Sequence, residues 1–447
     1  MKTLVIGAGE VGMNLARTLV ADGQDVSIIE SSGRRVREVG PEIDALVIQG
    51  NGASPRMLRQ LDVGAFDLVA AVTTVDEVNV IASLIAKQAG VGTVVARIRD
   101  PEYFEEDGGG ETELTGIDFV IDPDRATAES IAQTIEIPGA VSVEYFAEGR
   151  LALAELILDA DSPLIGQPLS ERARPHPAYI VGIQRESETM LARPESVPEA
   201  GDHILVSTAS ESLREVVADF IGEVRPIRNA ILFGGGRIGL PLAQLLEQRK
   251  VNVTILEKNR ERADEIAGEL QRTKVIDDEG ISQEIQEEVG VSRTGAFVAC
   301  AGDDRSNLVA ALNAKRMGAG LSLATISREE FLPLVDAIGL DGSFSPRLIA
   351  AEEILKFVHT TSVRSIRLLR TGFEAMEIEA GPGSEICGMA IGETHGVLSH
   401  CRVGAVLHED RVEIPIRGMV IEEGDTLLVL GPHGTMGEIE SSFAGKA

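Results

Sequence analysis

Short runs of Val, Ile, Leu and Ala alternate along this chain with stretches in which apolar residues recur at helical spacing. In the first half the runs fall at Thr3–Gly7, Val26–Glu30, Ala45–Gln49, Leu68–Thr73, Thr93–Ile98 and Phe119–Ile121. Each is too short for a helix and almost wholly apolar, as expected of strands buried on both faces. Between them Leu15-Ala16…Leu19-Val20 and Val80-Ile81…Leu84-Ile85 keep one side of a helix apolar. Strand and helix in alternation predict βαβ crossovers and a parallel sheet. A helix is expected over Ala126–Ile137, stopped by Pro138-Gly139. The pattern then changes. Leu151–Leu158, Tyr179–Gln184 and His203–Val206 read as strands of a smaller domain.

The same pattern then repeats. Gly7-Ala8-Gly9-Glu10-Val11-Gly12 reappears 227 positions later as Gly234-Gly235-Gly236-Arg237-Ile238-Gly239, and Glu30 reappears as Glu257 at the same offset. Asn79 and Lys87 match Asn307 and Lys315 at an offset of 228. Asp122-Pro123 matches Ser345-Pro346 at 223, after a polar, Gly-rich insertion at 105–111 in the first half. Gly166 matches Gly388 at 222. An offset kept over the whole length marks an internal duplication. The second small domain repeats the strands as Glu374–Glu379, Val403–His408 and Thr426–Leu430. The predicted fold class is therefore α/β, with two Rossmann-like doubly wound parallel-sheet domains, each followed by a small α+β domain. The expected division is 1–137, 138–225, 226–362 and 363–447.

A lone GxGxxG is weak, but both copies here follow a strand and open a helix, with an acidic residue 23 positions beyond the first glycine. Gly7 permits the tight turn, Gly9 lets a pyrophosphate approach the backbone, and Gly12 lets the helix pack closely on its strand. The helix N-terminus supplies free N–H groups and partial positive charge to a phosphate. Glu30 would accept from ribose hydroxyls and repel a 2′-phosphate, which favours NAD or an adenosine nucleotide over NADP. The second loop keeps Gly234, Gly236, Gly239 and Glu257. However, Gly50-Asn51-Gly52 has become Asp277-Asp278-Glu279-Gly280, Thr73-Thr74 has become Ala301-Gly302, and Arg97 has become Thr325. Two readings stand for it: a weaker or different nucleotide site, or a turn only.

Composition narrows the function classes. A formal charge of −30 argues against a broad nucleic-acid surface. Only eight of the 41 basic residues are Lys. The three cysteines, Cys300, Cys387 and Cys401, show no CxxC spacing, which suits a reducing compartment. The N-terminal apolar run reads as a strand and not a signal peptide, and no stretch of about 20 apolar residues spans a bilayer. A dehydrogenase needs a proton donor or acceptor beside the nicotinamide, usually His, Lys or Tyr. The histidines fall at 176, 203, 359, 395, 400, 408 and 433, outside both Rossmann units apart from His359 at the exit of the second. Lys87 and Lys315 read as solvated helix faces, and Tyr103 as a lone turn residue. His395, His400 and Cys401 approach a metal cluster only loosely, and no metal site is expected. Cys300 reads as the end of a buried strand, Phe297–Cys300. The apolar faces of the small sheets could bind a ligand or pair with another copy, and a sheet-edge or helix-packing interface is the expected use.

The combination resembles the TrkA-type peripheral subunit of bacterial and archaeal Trk potassium-uptake systems, which carry two regulator-of-potassium-conductance (RCK) units in tandem. Carrying the resemblance are both glycine loops, Glu30 and Glu257, the segment Val72-Thr73-Thr74-Val75-Asp76-Glu77-Val78-Asn79, Ala96-Arg97-Ile98, Asp122-Pro123, and the closing strands Gly201-Asp202-His203-Ile204-Leu205-Val206 and Gly424-Asp425-Thr426-Leu427-Leu428-Val429. It implies a non-enzymatic regulatory subunit that binds NAD (NAD+ or NADH), and also ATP or ADP. Such subunits form a homo-oligomeric ring, here expected as a tetramer, on the inner face of the cell membrane, and gate a potassium-translocating membrane partner. The implied first pocket is Gly7, Ala8, Gly9, Glu10, Val11, Gly12, Glu30, Asn51, Thr73, Thr74 and Arg97. The second is Gly234, Gly235, Gly236, Arg237, Ile238, Gly239 and Glu257. Hinges are expected at Pro138-Gly139 and near Thr360-Thr361. A soluble NAD-dependent oxidoreductase with a duplicated cofactor domain is the competing reading. A nucleotide sensor for an exchanger or chloride channel is a third.

Overall fold

A computed structural model describes residues 1–447 except 22, 101–102, 104–116, 172–174, 187, 223–225, 356–362, 370, 392–397, 399, 409–410, 417, 433–438, 440–441 and 444–447. The acidic insertion at 105–111, His359, the Thr360-Thr361 hinge, His395 and His433 lie outside the described residues.

In the first half the elements run β1 (Lys2–Ile6), α1 (Glu10–Ala21), β2 (Asp25–Glu30), α2 (Gly33–Val39), β3 (Leu46–Gln49), α3 (Pro55–Gln60), β4 (Leu68–Ala71), α4 (Asp76–Gln88), β5 (Thr93–Arg97), β6 (Phe119–Ile121) and α5 (Pro123–Glu136). The strands line up as β3-β2-β1-β4-β5-β6, with every pairing parallel. This order crosses over between β1 and β4, where a doubly wound sheet places its ligand crevice. The small domain follows as β7 (Ala140–Phe146), β8 (Leu151–Ile157), β9 (Tyr179–Arg185), β10 (Glu188–Leu191), β11 (His203–Ala209) and α6 (Leu213–Ile221). Its antiparallel sheet runs β10-β9-β11-β8-β7.

The second half repeats the plan with β12 (Asn229–Phe233), α7 (Gly239–Gln248), β13 (Asn252–Glu257), α8 (Arg260–Glu269), β14 (Lys274–Asp277), α9 (Gln283–Glu288), β15 (Ala296–Ala299), α10 (Asp304–Arg316), β16 (Ser322–Thr325), α11 (Leu332–Ala337), β17 (Gly342–Phe344) and α12 (Pro346–Leu355). The parallel order is β14-β13-β12-β15-β16-β17. After it come β18 (Val363–Leu368), β19 (Phe373–Glu379), β20 (Arg402–His408), β21 (Arg411–Glu413) and β22 (Thr426–Pro432). The last four pair antiparallel as β19-β22-β20-β21.

The chain forms two compact units that do not follow the halves. One contains Met1–Pro123 and Arg347–Leu368, the other Asp124–Pro346 and Leu369–Pro432. The helix that leaves each parallel sheet thus belongs to the other half's sheet. Ile131, Ala132 and Ile135 of α5 are buried with Leu232, Leu242, Ile255 and Val298 of the second half. Ala350 and Ile354 of α12 are buried with Val5, Val11, Leu15 and Ile28 of the first. Both helices begin on proline, three residues earlier than Ala126 in the case of α5. Proline suits the first helical position because its missing N–H has no partner there anyway.

The first small sheet carries two strands beyond those predicted, β10 and, at the opposite edge, β7. In β7 the polar Ser142 and Glu144 interrupt an otherwise apolar run, yet it is an edge strand paired to β8. The apolar faces form packing interfaces within the chain, including the helix-packing one that was expected. Leu151, Leu153, Val181 and Leu205 of the first small sheet are buried against Phe373, Ala375, Ala405, Leu428 and Leu430 of the second. Gly182 makes room for this, because a Cβ there would sit 2.7 Å from the Phe373 ring. The other face of the first sheet, with Ala152, Ala154, Ile180 and Ile204, is covered by Leu213, Val216, Val217 and Phe220 of α6.

Candidate functional site

Both glycine loops sit at the C-terminal ends of β1 and β12, and their first glycines hold backbone angles that side chains resist. Gly7 has φ +110° and Gly234 has φ +106°. A Cβ on Gly7 would meet the Thr73 backbone at 3.1 Å, and one on Gly234 would meet Ala301 Cα at 2.8 Å. The third glycines allow helix and loop to touch: a Cβ on Gly12 would lie 1.9 Å from the Gly7 carbonyl oxygen, and on Gly239 2.0 Å from that of Gly234. The middle glycines are different. Nothing lies within 4 Å of a Cβ built on Gly9 or Gly236, so packing within the chain does not require glycine at either position.

The acids are held by the loops. Glu30 Oε2 accepts from Ala8 N at 2.8 Å, and its Oε1 accepts from Ser32 N at 2.7 Å. Glu257 repeats this with Gly235 N at 2.9 Å and Asn259 N at 2.8 Å. Arg35 Nε donates to Ala8 O at 2.9 Å, and Arg262 Nε to Gly235 O at 3.3 Å. These arginines share the 227 offset, so the repeat pairs them although no motif singles them out.

Across the crevice the buried amides of Asn79 and Asn307 tie the β4 and β15 loops to the next strand. Asn79 accepts from Thr73 N at 2.9 Å and donates to Arg97 O at 2.7 Å. Asn307 accepts from Ala301 N at 2.9 Å and donates to Thr325 O at 3.0 Å. Asp76 then receives Arg99 N at 2.9 Å and Asp100 N at 3.0 Å, while Arg99 Nη2 donates to Thr74 O at 2.6 Å. Asp304 receives Ser327 N and Arg328 N in the same way. In the sequence the two asparagines mark the repeat, and Asn79 also closes a segment that carries the resemblance; in the structure each fastens the loop after β4 or β15 to the neighbouring strand.

The structure therefore places Gly7, Ala8, Gly9, Glu10, Val11, Gly12, Glu30, Asn51, Thr73, Thr74 and Arg97 around the C-terminal edge of one sheet. Asn51 follows Gly50, whose N–H donates to Glu30 O at 2.8 Å, and Asn51 Oδ1 caps Ala53 N at 2.9 Å. In the second half Asp278 N takes the Gly50 bond, donating to Glu257 O at 3.1 Å, and the exposed Glu279 stands where Asn51 does. Thr325 turns inward, its Oγ1 accepting from Asn307 Nδ2 at 3.1 Å.

Lys87 and Lys315 keep side chains 35% and 38% exposed, and each is also paired with an acid. Lys87 Nζ donates to Asp118 at 2.6 and 2.7 Å, and Lys315 pairs with Asp341. Each aspartate also accepts a strand N–H, from Val94 and Ser322 respectively. The contacts span 31 and 26 residues, beyond what a helical pattern reveals. Cys300 lies one residue past β15, its Sγ 3.4 Å from Gly234 O, and burial together with Glu257 pushes its thiol up to about 12. That protonated thiol is a packing group beneath the loop. Three histidines pair with acids in the small domains, His176 with Asp219, His203 with Glu155 and His408 with Asp425. Among the described residues no group of three or more His, Cys, Asp or Glu is arranged to hold a metal ion, and no helix is long and apolar enough to cross a membrane.

The comparisons agree on one family. The TrkA-N domain matches residues 3–133 and 230–346, and the TrkA-C domain matches 153–221 and 375–444. The chain is 31% identical to the Trk system potassium uptake protein TrkA of Halomonas elongata, over 96% of this chain and 95% of that one. With the protein of the same name from Haemophilus influenzae it shares 30% identity, over 99% and 98%. None of these names is that of an enzyme. Among solved structures the GsuK RCK domain has a TM-score of 0.63 at 18% identity, covering 98% of this chain and 95% of that one. The GsuK channel bound to NAD gives the same score and identity over 99% and 78%. These likenesses establish the fold.

Proposed function

Because the chain belongs to the TrkA family, with its TrkA-N and TrkA-C domains each present twice, we propose that it is the nucleotide-sensing subunit of a Trk-type potassium uptake system. The observation that carries this reading is the first crevice. There an open Gly9 shares the loop with a closely packed Gly12, and Glu30 is held by Ala8 N at 2.8 Å. A pyrophosphate would lie on the N-terminus of α1, its oxygens met by free N–H groups, and Glu30 would take the ribose hydroxyls. Asn51, Thr73, Thr74 and Arg97 would line the remainder. The residues present fit NAD, as NAD+ or NADH, and equally ATP or ADP, which share the adenosine and phosphate ends. NAD here serves as a signal and not a hydride carrier. The second crevice, from Gly234 to Gly239 with Glu257, would hold a nucleotide more weakly.

The subunit acts on a potassium-translocating membrane partner, as a ring of four chains on the cytoplasmic face of the membrane. A bound nucleotide shifts the ring between states only by its differential affinity for them. On the four-segment division at 138, 226 and 363, the turn at Pro138-Gly139 is a hinge, with Gly139 at φ +92°. Binding of NAD, NADH, ATP and ADP to the wild type, Gly9→Asp and Gly236→Asp tests this, alongside potassium flux with the co-expressed membrane partner. A carboxylate beside the phosphates should weaken binding at its own loop by roughly a hundredfold or more. Gly9→Asp should also abolish the nucleotide response of the flux. Binding without any effect on flux in either variant would sink the gating reading, and turnover of NADH with a simple carbonyl compound would replace it with an oxidoreductase.

A further inference from the structure

We infer that Arg347, on the exit helix of the second half, supplies the cation that faces the phosphate groups of a nucleotide bound at the first glycine loop. The inference rests on the nucleotide reading of that loop and adds a residue to it. Arg347 Nη1 lies 2.6 Å from Glu10 Oε2, with the two side chains 24% and 47% exposed. Glu10 directly follows Gly9, the open position of the loop, and is the first residue of α1. A carboxylate there suits a helix N-terminus on its own. It would nevertheless repel a phosphate placed on the same N–H groups. A guanidinium within contact distance cancels that repulsion and offers paired donors suited to phosphate oxygens.

Arg347 is not held there by the ion pair alone. Ala350 and Ile354, three and seven residues further along α12, are buried in the core that contains Val11, Met13 and Leu15 of α1. That spacing keeps one face of α12 against the sheet and its first turn at the glycine loop.

The duplication provides an internal control. At the matching positions the second half carries Arg237 in place of Glu10, at the 227 offset, and the first half carries Asp124 in place of Arg347, at the 223 offset. Both signs are reversed. The offset for the exit helices is secure, because Ile131 of α5 and Ile354 of α12 occupy corresponding places in the two cores. Two positions over a hundred residues apart in sequence that exchange charge together behave as a pair. The consequence differs between the loops. In the second, the cation belongs to the glycine loop itself. In the first, it arrives on a helix from the other half, so a phosphate there acts on α12 directly while occupying the pocket.

The test uses the full chain with the second loop disabled by Gly236→Asp, titrated calorimetrically with ADP and with adenosine. Arg347→Gln should raise the Kd for ADP about tenfold and leave adenosine within about twofold. Arg347→Lys, which keeps the charge, should recover most of the loss. Glu10→Gln, which removes the repelling carboxylate without touching Arg347, should tighten ADP by a few-fold and serves where Arg347→Gln does not fold. ADP affinity unchanged by Arg347→Gln, or adenosine weakened as much as ADP, would overturn the inference while leaving the pocket in place. A parent chain that binds neither ligand would overturn the pocket and the inference with it.

Discussion

At the first glycine loop Glu30 accepts from Ala8 N at 2.8 Å, and at the second Glu257 accepts from Gly235 N at 2.9 Å. A Cβ on the third glycine would strike the neighbouring carbonyl oxygen at nearly the same distance in both, 1.9 and 2.0 Å, and Asn79 and Asn307 accept from the loop before their helix at the same 2.9 Å. Around this shared skeleton the charges differ. Glu10 stands against Arg237, Asn51 against Glu279, and Arg97 against Thr325. The backbone of a Rossmann turn therefore persists on packing alone, since glycine φ values and carbonyl clearances do not depend on a ligand. On the proposed function, discrimination between ligands would fall to the side chains that differ between the two loops.

The largest effect that would break this comparison is steric. Gly12→Ala and Gly239→Ala each drive a methyl into a carbonyl oxygen closer than any non-bonded contact allows. Each should cost about 2–3 kcal/mol, read as a lower urea midpoint with an unchanged slope. The shared-skeleton view expects the two costs to match. A large loss for one and none for the other would show that only one loop is under packing constraint. Asn79→Ala and Asn307→Ala come next. Each removes a buried amide that satisfies groups on two loops, at about 1–3 kcal/mol. Stability should fall equally in both variants, while nucleotide affinity at the first loop falls only in Asn79→Ala.

Much of each crevice was legible because its causes are local. A glycine at positive φ, a glycine against a carbonyl, a short apolar strand and an acid at its end all lie within about thirty residues of one another. The exchange of exit helices was not legible. The apolar face of α5, with Ile131 and Ile135, reads the same whichever sheet covers it, and nothing within the helix names the partner. Arg347 stayed hidden for the same reason, because its relevance depends on where α12 packs. The acid partners of Lys87 and Lys315 were not legible because those carboxylates come from a different strand connection. β7 escaped because Ser142 and Glu144 interrupt its pattern. An edge strand tolerates such residues, since only part of it meets the core.

The smallest effect is the most informative about the second loop. Glu279 is exposed and stands where Asn51 stands in the first half, at the tip of β14. Its charge opposes a phosphate or ribose-phosphate ligand through solvent and not through a dry contact, so replacing it should return only about 1 kcal/mol. In a Gly9→Asp chain, where the first loop is silent, Glu279→Asn should therefore tighten ADP about fivefold at low ionic strength. The gain should shrink as salt rises, because exposed charges are screened within roughly 10 Å at 0.1 M. A gain that ignores salt would mean the asparagine makes a direct bond, and Asn51 would then be a contact residue in the first loop rather than a neutral one. Failure of both forms to bind any adenine nucleotide would mean that Gly236 is kept open for no ligand, and the second copy would be a turn that the duplication carried along.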